Sequence, residues 1–173
     1  MNKQEFIEAY TPSNMWRYAA NEDKCHIGNG PTISQACKEY GADSVHYVFC
    51  NLLQDFVRYN HCQQVINMHQ LNEIAAVICT EFRNLKCAEL VLFFAKAKAG
   101  RFGKFFNTIY PMDITTQLCE WEKVCNQRKG ELFYAASLQD IEDAREAMYR
   151  DAASATRVSS WISKHGQSHI KFD

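Results

Sequence analysis

Apolar positions along this chain recur at intervals of three and four, rarely two, and that spacing predicts helices from end to end. "MNKQEFIEAY" reads as a short amphipathic helix stopped by Thr11-Pro12. An irregular stretch follows through "NEDKCHIGNGP", punctuated by two glycines and a proline. Thr32 with Gln35 three residues on is a capping-box signal that opens "ISQACKEY", and Gly41 is expected to close that helix in the left-handed conformation. From Asp43 or Ser44, "VHYVFCNLLQDFVRY" sets Val45, Val48, Phe49, Leu52, Leu53 and Phe56 on one broad face, with Asn60 as terminator. Asn67 and Gln70 make a second capping box before "MHQLNEIAAVICTEF", where Leu71, Ile74, Ala75, Ile78, Cys79 and Phe82 line up.

The next helix, "AELVLFFAKAKA", turns Leu90, Phe93, Phe94 and Ala97 inward and ends at Gly100. "GRFGKFFNTIY" is too rich in glycine and β-formers to continue it and reads as a loop or small hairpin near 100–110. Pro111 at a first helical turn, with Asp113 near the positive end of the dipole, starts "PMDITTQLCEWEKVCNQR", whose buried stripe is Ile114, Leu118, Trp121 and Cys125. Lys129-Gly130 reads as a break. Beyond it runs a long, charged, alanine-rich helix with sparser apolar positions. The fold expected is all-α: a compact bundle of about five to seven helices with a long C-terminal helix. Residues 1–128 form the helical domain, and 131–173 form a helix and tail docked on it.

Composition narrows the function more than the fold. Hydrophobic residues make up 47% of the 173, enough for a real core and against extensive disorder. A net charge of -1 gives no global attraction to nucleic acid or anionic lipid, so any such role must rest on a local patch. The N-terminus lacks the apolar run of a secretory signal, and no apolar segment approaches the roughly 20 residues that span a bilayer. A cytoplasmic location without membrane contact is therefore expected. In that reducing setting the eight cysteines, none in a C-x-x-C pair, read as free thiols on apolar faces.

The segments "GNGPTISQACKEYG" and "ICTEFRNLKCAELVLFFAKAKAGRFGKFFNTIYPMDITTQL" carry a further signal. Over residues 16–128 the chain resembles a family of small proteins of uncharacterised function encoded by Bacteroidetes genomes, often in phages and other mobile elements. Leu85-Lys86, Glu89-Leu90, Phe93-Phe94 and Lys98 through Phe106 match the family's central pattern. Asn107 stands where the family has glycine, and Tyr110 stands where it has an aspartate before Pro111, which removes an N-cap. The resemblance implies kinship and a mobile-element setting, and no chemistry.

The central stretch is the strongest candidate site. Between residues 83 and 104 lie six cations and one acid, Glu89, for a local charge of +5. Such charge interleaved with rings is what backbone-tracking nucleic-acid sites use. Lys96, Lys98, Arg101 and Lys104 are the candidate phosphate contacts, and Phe102 is the candidate exposed ring. The structural alternative is equally concrete: lysines facing a helix C-terminus, glycines supplying positive φ, and phenylalanines filling the core. Gly103-Lys104-Phe105 does not continue as a phosphate-binding loop does, and a KH fold's β-strands are missing.

Other constellations carry less. Cys25-His26 and His61-Cys62 offer four zinc-type ligands, but adjacent ligands reproduce no known zinc pattern. His165 and His169 are separated by Gly166, which argues against a helical metal pair. No nucleophile elbow, zinc-protease helix or dinucleotide fingerprint occurs, so neither enzyme activity nor a cofactor is expected. Residues 131–151 hold six acids against two cations, a net -4. Leu138, Ile141, Ala144, Met148 and Ala152 trace a narrow stripe along them, and Trp161 lies in the polar tail, so Met148 and Trp161 are the candidate partner contacts. The acidic segment and the basic patch can pair within one molecule or between copies, which leaves a homo-oligomer open.

Two readings follow. The leading one is a non-enzymatic accessory protein that holds single-stranded or duplex DNA, or a replication protein, through the basic aromatic loop. The alternative is an adaptor or inhibitor that acts on a host protein through the C-terminal helix.

Overall fold

Thr32 illustrates how sequence becomes fold here. Its hydroxyl accepts from the Gln35 amide at 3.2 Å while the Gln35 side chain accepts from the Thr32 amide at 2.8 Å, so two orphan donors at a helix start are satisfied reciprocally. The helix so opened is the fourth of eight in the computed structural model, which describes residues 1–60, 66–103 and 110–165, the side chains of 155, 158 and 161–165 excepted. They are α1 (Lys3–Ala9), α2 (Met15–Ala19), α3 (Glu22–Ile27), α4 (Ile33–Tyr40), α5 (Ala42–Tyr59), α6 (Met68–Glu81), α7 (Cys87–Lys98) and α8 (Pro111–His165), with a 3-10 turn at Pro12–Asn14. No strand occurs among the described residues, and the fold is all-α with a long C-terminal helix.

The chain divides into two compact units, Met1–Gly130 and Glu131–Asp173. The first owns the core. Its centre is α7, where Leu90, Val91, Leu92, Phe93 and Phe94 are all buried. Against it pack α2, α3 and α5, and α5 in turn packs on α4 and α6. The stripes expected on α5, α6 and α7 and at the start of α8 are buried as spaced, except that Cys79 is only half-buried. An antiparallel bridge between Thr32 and Lys86 aligns the starts of α4 and α7, with the Ile33 amide donating to Leu85 at 2.9 Å and the Cys87 amide to Pro31 at 3.0 Å.

Three local expectations are corrected. The stretch read as irregular contains α3, and α2 lies just ahead of it. Glu22 and Asp23 occupy the first turn of α3, where acids favour the helix dipole. Gly28 is its C-cap, and an added Cβ there would lie 2.4 Å from the Lys24 carbonyl oxygen, so the position holds only glycine without a shift. Gly41 has φ 88° but ψ 140°, outside the left-handed helical region, so it links α4 and α5 through a positive-φ conformation that favours glycine. Gly130 does not break α8, which runs through it, because one interior glycine costs only about 1 kcal/mol. Of the loop or small hairpin expected near 100–110, residues 104–109 lie outside the described residues.

Candidate functional site

Glu89 is the least expected residue in the core. As the third residue of α7 its carboxylate caps that helix, accepting from the Lys86 amide at 2.8 Å. It is also wholly buried, so burying its charge requires partners. His26 of α3 lies at 2.8 Å from Oε1 through Nδ1, and Lys129 of α8 donates from Nζ to Oε2 at 2.9 Å. The Trp121 indole donates to the Glu89 carbonyl at 3.0 Å. Burial pushes the Glu89 carboxyl up, but the hydrogen bonds from His26, Lys129 and the Lys86 amide outweigh it and hold the group below the usual carboxylate range. Three helices distant in sequence are thereby tied at one carboxylate.

His26, Glu89 and Cys125 bring one ligand atom each within 4.8 Å of one another, the size of a metal site. Their bonding suits an ion pair better than a cation. Desolvation pushes the Cys125 thiol up, away from the thiolate that a metal needs. The Lys129 ammonium already supplies the positive charge, and both carboxylate oxygens hold donors. The cluster acts as a structural knot.

The basic bend is built differently from the exposed grip expected. Helix α7 ends in a Schellman motif: the Arg101 amide donates to Lys96 at 3.0 Å and the Gly100 amide to Ala97 at 3.0 Å. Gly100 and Gly103 supply the positive φ, 75° and 87°. The turn folds Phe102 back onto the core, where its ring stacks on Phe93 at 5.0 Å and meets Trp121 edge-on at 5.9 Å. Phe102 is therefore half-buried packing and not a free ring.

Lys96 bonds Glu22 at 2.7 Å and lies 5.8 Å from the Trp121 ring centroid. Lys98 pairs with Asp55 and lies 5.2 Å from the Tyr59 ring. These cations are engaged inside the unit, by acids of α3 and α5. Arg101 is exposed, without an ion-pair partner among the described residues. Lys104 lies outside them. The bend thus brings together only part of the set that the sequence suggested.

Residues 65–162 match the Family of unknown function (DUF6633). The chain belongs to that family. No curated protein and no solved structure matches it. The matched span takes in α6, α7, the bend and nearly all of α8, so Glu89, Trp121, Cys125 and Lys129 fall within it and His26 does not.

The remaining sequence candidates are scattered. His26 points to Glu89, whereas the thiol of Cys25 faces the carbonyls of Tyr18 and Asn21 at 3.5 Å each, so the pair does not converge as ligands. His61, Cys62 and His169 lie outside the described residues, as does the side chain of Trp161. All cysteines among the described residues are free. Met148 is 63% exposed on α8. No helix among the described residues is long and apolar enough to cross a membrane.

Sequence reasoning passed over the Glu89 knot. A signal was present: Leu85, Glu89 and Phe93 share one face at intervals of four, which puts an acid inside an apolar stripe.

Proposed function

We propose that this chain is a non-enzymatic accessory protein that acts by docking the second half of α8 onto a protein partner. One observation carries the reading. Tyr134, Leu138, Ile141, Met148 and Tyr149 are 49–67% exposed on a helix whose other residues are mostly charged or alanine. Spacings of four, three and seven place Tyr134, Leu138, Ile141 and Met148 on one seam, interrupted by Arg145. Contiguous exposed apolar surface rimmed by charge is characteristic of interaction sites. The net -4 of residues 131–151 selects a partner whose apolar groove is edged with lysine and arginine.

The nucleic-acid reading has less support, because Lys96 and Lys98 are committed to Glu22 and Asp55 and Phe102 packs inward. The resemblance of residues 16–128 to Bacteroidetes mobile-element proteins supplies the setting: an adaptor or inhibitor acting on a host protein in the cytoplasm.

The test is a photo-crosslinking residue placed at Ile141 or, on the opposite face, at Asp143, in cells that express the chain natively. A discrete protein adduct at 141 and none at 143 is the expected result. Absence of any adduct, together with salt-sensitive binding to labelled single-stranded DNA that disappears in Arg101→Glu, would return the function to the basic bend.

A further inference from the structure

Within the first unit, α1, α2, α3 and the loop after α3 form an open-mouthed cavity of about 400 Å³. That lies within the range of small-molecule sites, about 300–1,000 Å³. Tyr10 and Tyr18 line it with rings stacked at 5.7 Å, and Ala88 of α7 adds apolar wall. Two details give the cavity chemistry.

The first is the Tyr10 hydroxyl. The residue is 5% exposed, yet this hydroxyl bonds to nothing among the described residues, whereas that of Tyr18 donates to the Ala9 carbonyl at 3.0 Å. Gly30, also on the lining, has an open flank whose nearest atom is the Tyr10 Oη, 3.4 Å from where a Cβ would stand. Burial drives the ionisation of Tyr10 far up, so the hydroxyl stays neutral and able to donate. Among the described residues no side-chain nitrogen or oxygen is both buried and unpartnered, so this hydroxyl opens on the cavity, where a bound molecule can reach it.

The second is the charge at the mouth. Arg17 and Lys24 both line the cavity, and neither forms an ion pair among the described residues. The nearby acids are already engaged: Glu22 with Lys96 at 2.7 Å, Asp23 with Arg128 at 2.9 Å, and Glu8 with Gln4 at 2.9 Å. Arg17 is also held 5.5 Å above the Trp16 ring, which limits its freedom. Two cations at the rim, an apolar wall and one inward hydroxyl form a complementary set.

We infer that this cavity binds a small organic anion, with its acid group between Arg17 and Lys24 and its flat apolar body over Tyr10 and Tyr18, hydrogen-bonded by the Tyr10 hydroxyl. This site is independent of the helix proposed above for partner docking.

The test uses the full chain with three probes in calorimetric titration: phenyl phosphate, benzoate and inorganic phosphate. Saturable binding of phenyl phosphate or benzoate is expected, and which of the two binds tighter tells a phosphomonoester ligand from a carboxylate. Tyr10→Phe should weaken it about 3–10-fold, the loss of one hydrogen bond, without lowering the unfolding temperature, since that hydroxyl holds no protein group. Arg17→Ala with Lys24→Ala should weaken it at least about 10-fold, and both side chains are exposed enough to remove without unfolding. No saturable binding of either organic anion overturns the inference. So does equal binding of inorganic phosphate, or affinity unchanged in Tyr10→Phe.

Discussion

Removing the charge of Glu89 tests the most consequential residue in the first unit. Glu89→Gln leaves the Lys129 ammonium and His26 facing a neutral amide in the interior, and breaking a buried pair this way costs about 3–5 kcal/mol. The midpoint of urea unfolding should fall at unchanged slope, and Lys129→Met combined with Glu89→Gln should recover part of the loss, since the two are coupled. The same group predicts an acid limb. Its folded pKa is depressed below the ordinary 4.5, so the unfolded chain binds its proton first as pH falls. The stability it contributes is therefore complete above that value and is lost as pH drops through the lower folded one. Urea midpoints between about pH 7 and about pH 3 should decline steeply in the wild type and less steeply in Glu89→Gln. The sequence showed this residue as the single acid of a basic stretch. Its partners, 63 and 40 residues away, could not be read from spacing, because a buried ion pair leaves no periodic trace.

At the scale of elements, two glycines make opposite predictions. Gly100 sits at φ 75° in the turn that ends α7, with open space around it, so Gly100→Ala meets no clash and suffers only the left-handed backbone penalty, about 1–2 kcal/mol. Gly130 also has open space but lies inside α8 without a positive φ, so Gly130→Ala should stabilise by about 0.5–1 kcal/mol. Thermal unfolding of the two variants should shift in opposite directions. These positions also mark what was legible. Capping boxes at Thr32 and Asn67, the stripes of α5, α6 and α7, and the start of α8 at Pro111 were readable because each rests on contacts within one turn or one face. The course of α8 through Gly130 was not, since propensity weighs a glycine without knowing that Lys129 beside it is anchored to Glu89. The fate of the basic bend was not legible either, because Glu22 and Asp55, which engage Lys96 and Lys98, lie 74 and 43 residues away.

For the whole molecule, the division at Gly130 separates a unit that holds the core from one whose described side chains are nearly all exposed. Stability and partner binding should then be separable by substitution. Ile141→Asp and Met148→Asp place charges where the side chains are 64% and 63% exposed, and surface changes of that kind shift stability by no more than about 0.5 kcal/mol. Their unfolding midpoints should match the wild type while the crosslinked adduct at the helix is lost. Were the seam instead covered within the native chain, each aspartate would enter an apolar contact and cost several times as much, and the midpoints would fall together. Salt separates the contributions further. The acidic flanks of residues 131–151 speed encounter with a basic-rimmed partner, so added salt should slow association while leaving dissociation, set by the apolar seam, nearly constant. A rate of dissociation that rose with salt as steeply as association fell would mean that charge, and not Leu138, Ile141 and Met148, holds the complex.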